Sequence, residues 1–250
     1  SKGLPTYEAK DVGLSIQKWR DYQFDESVIV TGNDIQEYMK VVLKSIEQFK
    51  PELAKRTRHI THGNVKLAGG VKMSSRLGNG LAPEEVIESA RQASVELTGK
   101  ADEASVIGAV KYAFLRSRIG SDLIYDPAES VSLEGNSGPY LQYAHARARS
   151  ILDKSDNNPV IPTELQEGER TLVRKLSEYQ ETVDASTREL MPHHICTYLY
   201  ELSQVFNRFY EHNRVIGDAR ESERLNLVQH YADTLKNGLN LLGIQAPNRM

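Results

Sequence analysis

Leu225, Val228, Ala232, Leu235, Leu239 and Leu242 recur at alternating steps of three and four residues, with Gly243 next and Pro247 just beyond. That spacing predicts a helix over 221–242 with one apolar stripe, stopped by the glycine. Such a stripe has to be covered by other helices. Candidates stand nearby, because helical patterns also run over 104–119, 138–153, 163–187 and 192–212. On 192–212 the residues Ile195, Leu199, Leu202 and Phe206 form a second stripe, read as core. Residues 154–162 (KSDNNPVIP) read as a polar, proline-bounded loop. From about residue 100 onward the expectation is therefore a helical bundle.

The first hundred residues follow another rhythm. Residues 27–31 (SVIVT) are short, apolar and β-branched and end at Gly32, the pattern of a buried parallel strand. Ile35, Tyr38, Met39, Val42, Leu43, Ile46 and Phe49 then fall at helical spacing, closed by Pro51. Residues 58–65 (RHITHGNV) read as another strand, and Pro83 with Glu84 and Glu85 opens another helix. The fold class expected is α/β followed by all-α, with the α/β part over 1–99 and the helical part over 100–250. Two strands are too few for a complete sheet, and the chain opens on Ser1-Lys2-Gly3 rather than on Met. Both features lead to the expectation that this is the carboxyl-terminal part of a longer protein.

Composition narrows the function classes. With 39 % hydrophobic and 26 % charged residues the 250-residue chain can bury a core, and no apolar run approaches a membrane span. The lone Cys196 leaves no disulfide framework and fits a reducing compartment. A net charge of −3 gives no global nucleic-acid signal, so any phosphate affinity has to be local. His59 and His62 lie three apart, which alone does not make a metal site, and none is expected.

Four short stretches carry chemistry. Residues 69–80, GGVKMSSRLGNG, combine flexible glycines with Lys72, Ser74 and Ser75. Amides, hydroxyls and a mobile ammonium suit an anion such as a phosphate, although a solvated surface loop has the same composition. Thr6 can cap a helix running to about Trp19, placing Tyr7 and Asp11 one turn apart as a guanidinium socket or as an ordinary exposed pair. Gly32, Asn33 and Asp34 follow a strand, where ligands of α/β sheets bind, but Asp34 can equally cap its helix. Tyr140, Tyr143 and Arg147 fall at i, i+3 and i+7, a face for stacking on unpaired bases or a half-buried helix with packed tyrosines.

The exact strings carry a resemblance. Lys72-Met73-Ser74-Ser75 resembles the KMSKS-type signature of class I aminoacyl-tRNA synthetases, in a KMSS form. With His62-Gly63-Asn64-Val65 before it, Arg76-Leu77-Gly78-Asn79 after it, the stretch GPYLQYAHAR at 138–147 and the ending Leu241-Leu242-Gly243-Ile244 … Met250, the chain resembles arginyl-tRNA synthetases over nearly its whole length. The resemblance implies the later half of a Rossmann-type catalytic domain joined to a helical anticodon-binding domain. It implies arginine binding by Tyr7, Asp11 and Asp34. The family often carries Gln near position 34, which weakens that last assignment. It further implies ATP binding by Gly32, His62, Gly63, Val65, Lys72 and Met73, with His62 equally readable as structural. Tyr140, Tyr143, Arg147, Phe209, Tyr210 and Met250 would meet the tRNA.

The implied reaction is ATP-dependent arginylation of tRNA(Arg) in the cytoplasm by a monomer, with Mg2+ carried on the ATP and neither DNA nor membrane as partner. Arginine's carboxylate attacks the α-phosphate, pyrophosphate leaves, and the terminal ribose hydroxyl of the tRNA then takes the arginyl group. No protein nucleophile is needed, only alignment and charge stabilisation. Lys72 is the expected transition-state cation, with Ser74 and Ser75 as phosphate donors. Nothing in the chain matches the HIGH-type signature of the class. A tRNA-binding module without catalysis is the alternative. The chain alone is expected to make no adenylate; arginine-dependent ATP–pyrophosphate exchange measured on it checks this, and clear turnover would refute it.

Overall fold

The computed structural model describes residues 3–67 and 82–250. Lys72, Met73, Ser74 and Ser75 of the glycine-rich loop lie outside the described residues. The chain divides into two compact units, Ser1–Lys66 with Ile119–Leu123, and Leu67–Arg118 with Ile124–Met250.

The first unit is built on one strand–helix–strand crossover. Helix α1 (Tyr7–Tyr22) begins where Thr6 accepts a hydrogen bond from the Ala9 amide. It stops where Gln23 turns left-handed at φ 48° and its side-chain amide donates to the Trp19 carbonyl. Strand β1 (Ser27–Gly32) leads through a short 3-10 turn at Asn33–Ile35 into α2 (Gln36–Phe49) and α3 (Pro51–Lys55). Strand β2 (Thr57–His62) then pairs with β1 in parallel, from Ser27 opposite Thr57 to Gly32 opposite His62. Val42, Ile46 and Leu53 are buried beneath Val12, Trp19, Phe24 and Tyr38.

Two expectations are corrected in this unit. The pairing of β1 is parallel as expected, but the strand is not buried on both faces: Val28 is 40 % and Val30 61 % exposed. Helices cover only the face that carries Ile29 and Thr31. The strand expected over 58–65 is interrupted, because the chain leaves β2 at Gly63-Asn64 and resumes as β3 (Val65–Leu67). Segment 119–123 rejoins this unit, and β4 (Leu123–Tyr125) carries the chain out again.

The second unit is helical among its described residues, apart from the strand ends. Its helices are α4 (Pro83–Thr98), α5 (Glu103–Leu115), α6 (Pro127–Ser130), α7 (Gly138–Leu152), α8 (Glu167–Ser177), α9 (Tyr179–Glu189), α10 (His193–His212) and α11 (Glu221–Leu241). The stripe of α11 is buried as expected, with Val228, Ala232, Leu235 and Leu239 fully covered. Tyr231 beside it stacks face to face on Phe206 of α10 at 3.7 Å between ring centres. Helices α5 and α7 meet at backbone distance: a Cβ on Gly138 would lie 2.3 Å from the Gly108 carbonyl oxygen, so only glycine fits there.

The single helix expected over 163–187 is two helices. Near the end of α8 the Ser177 hydroxyl takes the Arg174 carbonyl, and the Tyr198 hydroxyl of α10 takes the Lys175 carbonyl at 3.0 Å. Side-chain donors thus compete for acceptors that a continuing helix needs. The start of α8 moves to 167 because Gln166 and Glu169 form its cap, the Gln166 amide donating to the Glu169 carboxylate.

Glu169 is also the buried charge of the bundle, 0 % exposed at its side chain. Arg220 grips it through Nε at 3.1 Å and Nη2 at 2.8 Å, and Arg224 adds its Nε at 3.1 Å. Burial pushes the carboxyl up, but the bonds from Arg220, the Gln166 amide and Arg224 outweigh it, and the net shift is downward from 4.5. Because the folded value lies below the unfolded one, this stabilisation is complete above about pH 4.5 and fades as pH falls through the folded value. Glu169→Gln should cost about 1–3 kcal/mol, since it removes the charge from a buried acceptor of three guanidinium bonds, while Arg220 keeps Glu223 and Arg224 keeps Asp218. Urea unfolding at pH 7 and at pH 4 checks this, and the gap between variant and wild type should narrow at the lower pH.

Candidate functional site

In the first unit the parallel register sets Gly32 directly opposite His62, so the carboxyl ends of β1 and β2 lie side by side. Ligands of open α/β sheets bind at such ends. Segment 119–123 crosses this edge. The Asn33 amide donates to the Gly120 carbonyl at 2.8 Å, and a Cβ on Gly63 would lie 2.1 Å from the Ser121 carbonyl oxygen. Gly63 is thus required by close backbone approach. Just after it, Asp122 accepts from the Asn64 amide and pairs with Lys66 at 2.8 Å. The hydrogen bond from Lys66, with that from the Asn64 amide, pulls its carboxyl down to about 2.

The residues expected at this edge behave differently from one another. Gly32 lies under Asp34, whose Oδ1 would be 2.6 Å from a Cβ there, and Asp34 makes no capping bond to α2. His62 is exposed and its Nδ1 sits 2.9 Å from the Gly63 carbonyl. Val65 opens β3 and is partly buried. His59 faces across the strands instead, its Nε2 2.8 Å from the Thr31 hydroxyl, and burial lowers its pKa.

Tyr7 and Asp11 share a helix but do not share a bond. Asp11 accepts from the Tyr38 hydroxyl of α2, and that hydrogen bond pushes the phenol up to about 12. The ring of Tyr7 is 77 % exposed, with the Lys10 ammonium 5.4 Å from its centre. Sequence reasoning had placed Tyr38 only in an apolar stripe. Its pairing depends on where α2 lies beside α1, which spacing along either helix does not reveal.

In the second unit the expected face of α7 divides. At 100° per residue, positions 140 and 147 lie within about 20° of each other and 143 about 60° away. Tyr140 turns toward the bundle, its hydroxyl accepting from Asn207 at 2.9 Å and its ring edge-on to Tyr200. The Arg147 guanidinium lies over the Tyr210 ring, 4.8 Å from its centre. Tyr143 is 48 % exposed and borders a cavity of about 480 Å³ shared with Pro247, Arg249 and Met250. A second cavity of about 510 Å³ on its other side is lined by Tyr143, Arg147, Lys154, Arg249 and Met250.

Phe209 does not belong to that surface. It is 3 % exposed, because the α10 stripe of Ile195, Leu199, Leu202 and Phe206 continues one step of three further and carries it into the core. The exposed apolar wall consists of Tyr143 and Met250, the latter 49 % exposed. The residues that spacing missed are Lys154, just past the end of α7, and Arg249, whose place beside Tyr143 depends on the path of the chain after Gly243.

Other chemistry finds little support. Cys196 is 1 % exposed and burial pushes its thiol up to about 12, which removes it as a nucleophile. Among the described residues no group of three or more His, Cys, Asp or Glu could hold a metal ion. No described helix is long and apolar enough to cross a membrane.

Comparison with known proteins agrees with this division of labour. Residues 1–126 match the family described as tRNA synthetases class I (R), catalytic domain, and residues 141–250 match the DALR anticodon binding domain. An arginine–tRNA ligase of Ligilactobacillus salivarius is 32 % identical over 99 % of this chain and 46 % of its own length. That of Flavobacterium psychrophilum is 29 % identical over all of this chain and 45 % of its own. The chain thus spans about half the length of these relatives. Among solved structures, Thermus thermophilus arginyl-tRNA synthetase superposes with a TM-score of 0.86 at 26 % identity, over 100 % of this chain and 50 % of that one. The Plasmodium falciparum enzyme shares the fold at TM-score 0.81 and 19 % identity, over 100 % and 48 %. The chain belongs to the class I tRNA synthetases of the arginine (R) family, and a DALR anticodon-binding domain follows its catalytic-domain portion.

Proposed function

We propose that this chain serves an arginine–tRNA ligase, with residues 1–99 contributing to the ATP and arginine site and residues 100–250 gripping tRNA(Arg). The observation that carries the reading is the α7 surface, where an exposed tyrosine, a guanidinium laid on a second tyrosine, and a terminal methionine line adjoining cavities. Exposed rings stack on splayed bases at roughly 1–3 kcal/mol each, and cations between them neutralise phosphates. Tyr143, Arg147, Tyr210 and Met250 are the residues assigned to RNA. Tyr140 supports them from behind by its bond with Asn207. The RNA target is an unpaired loop rather than a DNA duplex, because a stacking wall needs bases that can be turned out.

At the other site, the paired strand ends present Gly32, His62 and Gly63 to ATP, and Tyr7, Asp11 and Asp34 are assigned to arginine. Asp11 is held by Tyr38, so the phenol that orients this carboxylate comes from α2. The attacking carboxylate oxygen forms its bond to the α-phosphorus as the bond to pyrophosphate breaks. Lys72, Ser74 and Ser75 are assigned to the negative charge that gathers there. Mg2+ is assigned to enter with the ATP phosphates. We further assign the protein to the cytoplasm as a monomer.

Two measurements test this. The chain should bind tRNA(Arg) with a steep fall in affinity as salt rises, and Tyr143→Ala should weaken binding by about 1–3 kcal/mol. Arg147→Met should reduce the salt slope by about one phosphate contact. Absence of tRNA binding, or a Tyr143→Ala variant that binds as wild type, would overturn the RNA reading. In the whole ligase, Lys72→Ala should slow arginine-dependent pyrophosphate exchange by about 10²–10³ while tRNA affinity stays unchanged. Unchanged exchange would overturn the role assigned to Lys72.

A further inference from the structure

After α11 the chain makes a left-handed turn at Gly243, φ 66°, and the Ile244 amide returns to the Leu239 carbonyl at 2.9 Å. From there alternate carbonyls are captured by side chains of α5 and α7. The Lys111 ammonium donates to the Gly243 carbonyl at 2.5 Å. The Gln142 amide donates to the Gln245 carbonyl at 2.9 Å, and His145 Nδ1 lies 2.8 Å from the Pro247 carbonyl. A carbonyl offers no proton, so His145 is the donor in that contact. Taking every second carbonyl is what an extended segment allows, since successive peptide groups face opposite ways.

Two of these donors are buried at some expense. Gln142 is 0 % and His145 1 % exposed. Gln142 spends its amide nitrogen on Ala104 and Gln245, while its Oε1 has no hydrogen-bond partner among the described residues. An unpaired buried acceptor opposes folding. Helix packing alone would be served better by an apolar side chain of that volume, so the group is there for what its nitrogen holds.

We propose that Lys111, Gln142 and His145 are positioning residues for RNA recognition: they seat segment 243–250 so that Arg249 and Met250 form a fixed wall beside Tyr143. This rests on the reading of the α7 surface as the tRNA-binding face. The donors act on main-chain carbonyls, so they set the path of the segment whatever its side chains, and leave Arg249 and Met250 to meet the ligand. Preordering removes from binding the cost of immobilising a loose segment.

The test compares the Lys111→Met/His145→Leu double variant with His145→Asn, whose side-chain amide can still donate to the Pro247 carbonyl. Two readouts are needed, amide hydrogen exchange over 244–250 and affinity for tRNA(Arg). In the double variant exchange over that segment should rise about tenfold and tRNA affinity fall about tenfold, the equivalent of two ordinary hydrogen bonds. His145→Asn should stay near wild type on both. Faster exchange with unchanged tRNA affinity would show a segment merely docked for stability, and would overturn the proposal while leaving the RNA reading intact. Unchanged exchange would overturn it as well, because the donors would not be holding the segment. Wild-type protein that fails to bind tRNA would bring down the RNA reading and this proposal together.

Discussion

The carbonyl oxygen of Gly108 occupies the space where a side chain at position 138 would begin. With α7 locked against α5 at backbone distance, the residues that follow Gly138 have fixed destinations at each turn. Leu141 and Ala144 enter the core, while Gln142 is pressed against Gly108. Tyr143 is left facing outward, bordering two cavities. Tyr112, one turn along α5 from Gly108, bonds Asn136 at 2.5 Å and the Cys196 carbonyl at 3.0 Å, tying the same junction to α10. A larger residue at Gly138 would meet the Gly108 backbone and move α7, and its exposed face with it, whereas one at Gly108 would meet the Gln142 side chain. Close-packed interiors transmit such displacements rather than absorb them.

The same logic of forced proximity operates in the other unit. Gly63 is pinned by the backbone of Ser121, and Asn33 by the Gly120 carbonyl. A segment distant in sequence is therefore needed to finish the strand ends. Asp122, held ionised by Lys66 and the Asn64 amide, stabilises the turn after β2 rather than contributing a reactive group.

How much of this was legible in the sequence depended on the range of the interaction concerned. The α11 stripe was plain because six apolar residues at helical spacing admit few other readings. The Thr6 cap is local and came through, and the parallel pairing of β1 followed from the strand–helix–strand order despite its thirty-residue span. The split between α8 and α9 did not, because it depends on a Tyr198 hydroxyl contributed from another helix. Phe209 was misplaced for a related reason: a stripe read as ending at Phe206 runs on by one step, and only the packed bundle shows where it stops. Tyr38 looked like a core residue and turned out to be a ligand for Asp11, a pairing set by how two helices lie together. Among the site residues, those named from the exact strings at 62–65 and 138–147 could be found without a fold. Arg249, Gln142 and Lys111 could not, since their meaning lies in the path of the last eight residues.

A chain with net charge −3 is at first sight an unpromising partner for a polyanion. At physiological salt, however, charges are screened over about 8 Å, so carboxylates elsewhere on the surface count for little at the point of contact. What counts is the local set, and around Tyr143 it consists of Arg147, Lys154 and Arg249 against Asp153. Arg147 is the most effective of these, because its guanidinium already lies on the Tyr210 ring and loses little rotamer freedom on meeting a phosphate. The aromatic component needs no charge at all, since a base stacks on a ring whatever the ionic strength. On the proposed reading, RNA binding at this surface therefore divides between two forces with different ranges. Screened cations bring the phosphates in only over the last several ångströms. A ring held on a helix that cannot shift then discriminates an unpaired base from a paired one.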